Sequence, residues 1–249
     1  MLHCPEIFSR SKENILFLHG FLEDASTWDV YKRYFSNYNI YSYDFPGHGN
    51  HTKTSINPLN FDSIGCHIID LLSQQNLKNI HVCAHSMGGY FALLLKKMEP
   101  NFVQKVILTN SIISSEQTEI SQIKKRERIQ FLIENRFDLF CKMAFSQYYT
   151  HFPNHSILFD QKIERALKFD VNLLQALQKI ISQRPDQWDI YGNYQKDMCY
   201  IVSEKDTNIP WRTDFEQVLP KAHLLLDEYH TLPIYNPEKW INIILNHLK

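Results

Sequence analysis

Residues 79–93, Asn-Ile-His-Val-Cys-Ala-His-Ser-Met-Gly-Gly-Tyr-Phe-Ala-Leu, limit what this chain can fold into more than any other stretch. A short apolar run reads as a buried strand and passes without a spacer into a helical pattern, with Ser86 on the turn between them. A serine on so tight a strand-to-helix turn sits in strained backbone, so the residues two before and two after it must be small. Ala84 and Gly88 meet that demand, and Gly89 lets the helix pack closely on the sheet. The pattern is that of a nucleophile elbow, G-x-S-x-G, with Ala84 in the first glycine place. The amide of Met87 falls in the first helical turn, where it is free to donate to an oxyanion.

The chain on either side has the rhythm of a parallel sheet. Residues 15–18 and 40–44 read as strands, the first ending at His19-Gly20-Phe21 and the second at Asp44 before the turn-rich Phe45-Pro46-Gly47-His48-Gly49. A helix is expected to start between Asp24 and Trp28, with Asp24 or Ser26 as its cap. Apolar residues at helical spacing predict a helix over 61–74, and the elbow helix should stop before Pro100. Residues 105–110 form the next buried strand. Strands alternating with helices imply an α/β fold with a mostly parallel sheet covered on both faces.

From about residue 112 to 194 that rhythm gives way to helical segments only, at 119–134, 137–144, 163–167 and 173–181. Alternation then resumes with a strand at 198–203, a helix at 213–218, a strand at 223–226 and a closing helix at 237–248, started by Pro237. The expected organisation is therefore a core of residues 1–111 and 195–249, with residues 112–194 inserted as a helical lid. The 249 residues suffice for that arrangement.

Composition narrows the function by exclusion. A net charge of −1 argues against nucleic acid as a partner and against a polybasic membrane surface. No apolar run is long enough to span a bilayer, so no stable membrane insertion is expected, and residues 1–12 carry no secretory pattern. Five cysteines at scattered positions, without C-x-x-C spacing, suit reduced thiols in a cytoplasm. The 12 histidines form no H-E-x-x-H or comparable cluster, so no metal site is expected. The basic run Lys124-Lys125-Arg126-Glu127-Arg128 reads first as a solvated helix face; the sharper reading is a docking patch on the lid for an anionic carrier.

In a parallel α/β sheet, ligands bind at the carboxyl ends of the strands. Here those ends carry His19-Gly20-Phe21, Asp44, Ser86, Asn110, Asp206 and His230, so serine, acid and histidine arise in that order, each just past a strand. On these pieces, with Pro237-Glu238 following the histidine, the sequence resembles the α/β-hydrolase superfamily over nearly its whole length, the lid being the variable part. It departs from the common pattern at Ala84, at Ser203 and Tyr229, where glycine often precedes the acid and the histidine, and in a short N-terminus that reduces the family's antiparallel edge hairpin. None of these removes a catalytic group.

The resemblance implies roles. Ser86 would be the nucleophile and His230 its base, then the acid to the leaving group. Asp206 would hold the imidazole tautomer, with Glu204 and Asp227 as rivals, and the amides of Phe21 and Met87 would form the oxyanion hole. His223 is disfavoured as the base because it opens a strand. Asn110 occupies the other place where the fold can supply its acid. Asp44 reads as an organiser of the Pro46-Gly47 turn, and His19, His48 and His85 as structural. The expected activity is cleavage of a small or medium acyl carboxylic ester through an acyl-enzyme, with a small-molecule ester as partner and no cofactor or metal needed. Alternatives are a C–C bond hydrolase or cofactor-free lyase on the same fold, against which Tyr90 counts because the lyase branch carries arginine there, and a non-catalytic binding protein.

Overall fold

The computed structural model describes residues 1–5, 9–10, 12–115, 120–149, 155–206, 222–225 and 228–249. The apolar runs form the centre of a seven-stranded sheet: β1 (Leu2–His3), β2 (Glu13–Leu18), β3 (Tyr38–Tyr43), β4 (Ile80–His85), β5 (Val103–Thr109), β6 (Met198–Ser203) and β7 (His223–Leu225), in the order β1-β3-β2-β4-β5-β6-β7. Only β1 is antiparallel, pairing Leu2 with Tyr43 and His3 with Ser42. The six parallel strands confirm the expected fold class. β1 is two residues long, too short for any periodicity to show it in the sequence.

The strand order places the site. After β2 the chain steps outward to β3, then returns to the other side of β2 as β4. At such a switch point the loops leaving β2 and β4 diverge and open a crevice beyond their carboxyl ends. Leu18 pairs with Ala84, so the loop that begins at His19 starts beside the turn that carries Ser86.

One face of the sheet packs on α1 (Phe61–Ser73) and α2 (Met87–Met98), through Ile64, Ile68 and Leu72 of the first and Phe91, Leu94 and Leu95 of the second. Asn60 starts α1 with a capping box, its side chain accepting from the Ser63 amide while the Ser63 hydroxyl accepts from the Asn60 amide. The other face packs on the 3₁₀ segment Ala25–Phe35 and the closing helix Pro237–Leu248, where Trp28 stacks on Phe17 and on Trp240, and Tyr31 lies tilted against Trp240. Asp24 is the cap of the 3₁₀ segment, accepting from the Ser26 amide at 2.9 Å. Lys96 is buried at the end of α2, where its ammonium donates to the oxygens of Pro100, Val103 and Gln104 and pairs with Asp197 at 2.8 Å. A buried charge so fully met by acceptors pins α2 to the start of β5.

Between β5 and β6 lie only helices among the described residues: α3 (Ile120–Asn135), α4 (Phe137–Tyr149), α5 (His155–Ala166), α6 (Val171–Ser182) and α7 (Trp188–Asn193). α4 and α5 are longer than their apolar patterns suggested, and α7, six residues including Gly192, shows no apolar period at all. These helices have a core of their own from Ile133, Phe140, Cys141, Phe145, Ile163, Phe169 and Leu174, and Leu22 of the sheet domain enters it. The helix expected at 213–218 lies outside the described residues.

Candidate active site

Ser86 has φ +50° and ψ −117°, and α2 begins at the next residue. Such backbone costs about 1–3 kcal/mol and must be held by its surroundings. Here the Ser86 amide donates to the Thr109 oxygen at 2.9 Å and the Ser86 oxygen accepts from the Gly89 amide at 3.0 Å. A side chain at Gly88 would overlap the Leu18 carbonyl, and one at Gly89 would overlap Ser111, so both small residues are required by close approach. The sequence argument for the turn therefore holds at Gly88 and Gly89.

His230 lies between Ser86 and Asp206. Its Nδ1 is 2.6 Å from Asp206 Oδ2, and its Nε2 is 3.0 Å from Ser86 Oγ. A carboxylate only accepts, so Nδ1 carries a proton and donates it; Nε2 is then the lone pair that receives the Ser86 hydroxyl hydrogen. Asp206 is 1% exposed and His230 8% exposed, whereas Ser86 is half-buried at the surface of the crevice. Of the rivals, Glu204 is exposed, Asp227 lies outside the described residues, and His223 is an exposed strand residue.

The loop after β2 is fixed by two neutral histidines. His19 Nε2 accepts from the Phe45 amide and its Nδ1 donates to the Gly20 oxygen at 2.8 Å. His48 Nε2 accepts from the Leu22 amide at 3.1 Å and its Nδ1 donates to the Pro46 oxygen. Burial lowers the pKa of both, that of His48 well below its ordinary value, despite nearby carboxylates. Leu22 has φ +64°, a strained position for a leucine, held by the His48 bond and by its place in the helical core. The Phe21 and Met87 amides meet no protein acceptor among the described residues. They lie on the two loops that the switch point brings together.

Asp44 does organise its turn. Its carboxylate accepts from the Asn50 and Ala25 amides at 2.9 and 2.7 Å and lies 2.8 Å from His3 Nε2. Burial would raise its pKa, but His19 and these bonds hold it below the usual carboxylate range. Gly49, at φ +52°, packs so tightly on that carboxylate that no side chain fits there. His85, expected to be structural, has a fuller role than that reading gave it: it is 2% exposed, 3.2 Å from Glu23 Oε2 through Nδ1 and 2.8 Å from the His230 oxygen through Nε2. The available signal was a polar residue ending a strand whose every position is buried, which demands a partner. Among the described residues there is no group of three or more histidine, cysteine, aspartate or glutamate side chains placed to hold a metal. The side chains of Lys124, Lys125 and Arg126 lie outside the described residues, so most of the basic patch expected to dock an anionic carrier falls there too.

Comparison with known proteins agrees with the fold. The sequence matches the Alpha/beta hydrolase family over residues 15–242, and the chain belongs to that family. A putative esterase/lipase 2 of Mycoplasma genitalium is 31% identical over 122 residues, a match covering 47% of this chain and 43% of that protein. The match thus spans less than half the length of this curated relative. In fold, a thermophilic esterase from Thermogutta terrifontis superposes with a TM-score of 0.83 at 16% identity, over 100% of this chain and 92% of that one. MenH from S. aureus superposes with a TM-score of 0.75 at 20% identity, over 100% of this chain and 97% of that one. The family and the fold are thus shared with these proteins, and the likeness to the putative esterase/lipase extends over about half of the chain.

Proposed function

We propose that this protein is a serine hydrolase that cleaves a small or medium acyl carboxylic ester through an acyl-enzyme. The observation that carries the reading is His230, bonded at one nitrogen to a buried carboxylate and at the other to a serine on a strained turn. In the first half-reaction Ser86 Oγ attacks the ester carbonyl while His230 Nε2 takes its proton, and Asp206 stabilises the imidazolium that forms. The carbonyl oxygen becomes an oxyanion received by the amides of Phe21 and Met87, each worth about 3 kcal/mol of barrier. His230 returns the proton to the departing alcohol. Water then enters, His230 again serves as base, and the acid is released from Ser86.

Helices α3–α7 act in this reading as a lid that shapes the acyl pocket. Its support is the contact of the lid with the oxyanion loop: Leu22 sits in the lid's core, and the Phe21 ring meets Phe140 edge-on at 6.3 Å. Five free cysteines support residence in the reducing cytoplasm. Among the described residues, no helix is long and apolar enough to cross a membrane.

The test is a fluorophosphonate probe followed by mass spectrometry, run beside a panel of p-nitrophenyl esters of increasing chain length. The expected result is one adduct, on Ser86, and ester turnover that Ser86→Ala abolishes. A folded protein that the probe leaves unlabelled, or labels elsewhere, ends the serine-hydrolase reading.

A further inference from the structure

His19 and His48 each accept a backbone N–H at one ring nitrogen and donate from the other, the arrangement of a neutral imidazole. His85 differs from both. Its Nδ1 faces the Glu23 carboxylate and its Nε2 faces the His230 carbonyl, and both of these groups only accept. With Glu23 ionised, as its lowered pKa requires, only the doubly protonated ring satisfies the two bonds at once. Burial alone would lower the His85 pKa, but the charge and hydrogen bond of Glu23 outweigh it and leave the pKa above its ordinary value. Glu23 shows the reciprocal effect: burial raises its pKa, and His85 brings it below the ordinary carboxylate range.

The position of this ion pair in the fold is informative. Glu23 Oε2 also accepts from the Gly20 amide at 2.9 Å, and Gly20 directly precedes Phe21, the proposed oxyanion donor. His85 directly precedes Ser86. The His85 ring lies 5.0 Å from the His230 ring, and its donor holds the His230 backbone. Contact with Gly20 is so close that a side chain there would come within 3.0 Å of His85 Nδ1 and 3.2 Å of Glu23 Oε2. One buried pair thus touches the loop after β2, the turn after β4 and the histidine loop. Lys162 on α5 and Asp206 also act on it, and Glu23 in turn acts on His19, His48 and Tyr31.

We propose that Glu23 and His85 are positioning residues, an imidazolium–carboxylate clamp that sets the distance between the oxyanion loop, the nucleophile and the base. The clamp rests on the serine-hydrolase reading. It acts on the transition state, where the relative placement of these three parts matters, and little on binding of the ground-state ester.

The test uses the full chain. His85→Gln alone strands a buried carboxylate and can fail to fold; the informative variants are Glu23→Gln and the double Glu23→Gln/His85→Gln, which removes both charges. Folding is checked by thermal unfolding, and kcat and KM are measured on a short p-nitrophenyl ester. The expected result is a folded double variant with kcat down 10- to 100-fold, KM within twofold, and Ser86 still labelled by fluorophosphonate but more slowly. Because the clamp works as a unit, the double variant should lose little more than Glu23→Gln alone. As a readout independent of activity, ¹⁵N-histidine NMR at pH 7.5 should show both His85 nitrogens protonated in the wild type, and a neutral ring in Glu23→Gln. A neutral His85 in the wild type, or a double variant with kcat within twofold of an active wild type, overturns the clamp. A wild type that neither hydrolyses the ester nor is labelled at Ser86 overturns the hydrolase reading, and the clamp's catalytic role falls with it.

Discussion

The side-chain amide of Asn110 donates to the backbone oxygen of His230 at 2.8 Å, from a residue held at φ +49°. The same amide reaches Ser203 Oγ and the Tyr229 oxygen, and its own oxygen accepts from the Ser203 amide at 2.8 Å. Asn110 therefore ties β5, β6 and the histidine loop together. Asn110→Asp keeps the shape but turns a donor into an acceptor aimed at two carbonyls. A buried pairing of that kind costs about 1–3 kcal/mol. The variant should unfold several degrees lower, at roughly 2–4 °C per kcal/mol for a chain of this size, and lose at least about tenfold in kcat through displacement of His230. Thermal unfolding and ester kinetics on one preparation check both.

Asp206→Asn tests the acid. It preserves shape, removes the charge and favours the wrong tautomer of His230. The same change in a serine-protease triad lowers kcat about 10⁴-fold, roughly 5 kcal/mol of barrier. A comparable loss is expected here, whereas Glu204→Gln should stay within about twofold, as befits an exposed residue. Retention of more than about a tenth of wild-type kcat by Asp206→Asn, a loss under 1.4 kcal/mol, would remove it from the triad.

Gly89→Ala should destabilise the protein by about 1–3 kcal/mol, the usual range for overpacking, because the new methyl overlaps Ser111. The contact is specific, so Ser111→Gly in the same chain should recover most of the lost stability. Failure of that second change to help, seen in denaturant midpoints, would mean that the close approach of α2 is not set at this pair.

The buried histidines give stability a pH dependence of definite sign. His19 and His48 have folded pKa values lowered by burial, and His51 is brought down to about 4, first by burial and then by the N-terminal ammonium. The unfolded chain takes up these protons below about pH 6.5, so stability falls as pH drops from there towards 4. His85 has the opposite sign, with a raised folded pKa: its contribution is complete below about pH 6.5 and is lost as pH rises through its folded value. Melting temperature should therefore fall on the acid side, and less steeply in His48→Gln, whose amide oxygen can still accept from Leu22. A curve for His48→Gln parallel to the wild type between pH 4 and 7 would show that His48 does not supply the slope.

Much of the fold was legible because parallel strands buried on both faces read as unbroken apolar runs, as at 15–18 and 106–108, and end in polar residues at the crevice. The assembled Ser86, Asp206 and His230 were legible from their order along those strand ends, which the parallel sheet turns into proximity. The two residues of β1 and the six of α7 carry too little pattern to be read. Residues 24–28 read as an ordinary helix start, whereas the segment they open, Ala25–Phe35, is 3₁₀; cap chemistry is shared by 3₁₀ and α turns, so the sequence did not distinguish them. The Glu23–His85 pair was invisible for a different reason. Glu23 looks like an acidic residue ahead of a helix, and only the switch between β2 and β4 reveals that it faces a histidine 62 positions on.

At the base of the inserted helices, the Gln187 amide donates to the Ile113 oxygen at 3.2 Å, and the Gln187 side chain donates to the Tyr90 oxygen at 2.9 Å. The chain therefore leaves and re-enters the sheet domain at one place, fastened to the helix that carries the elbow. In evolutionary terms we read the segment between Ile113 and Gln187 as a cassette. Closing a loop across that gap costs free energy that grows only slowly with loop length, so residues can be gained, lost or exchanged there while each strand keeps its neighbours. Selection can then work on what the crevice admits and on the machinery beneath it as two separate problems.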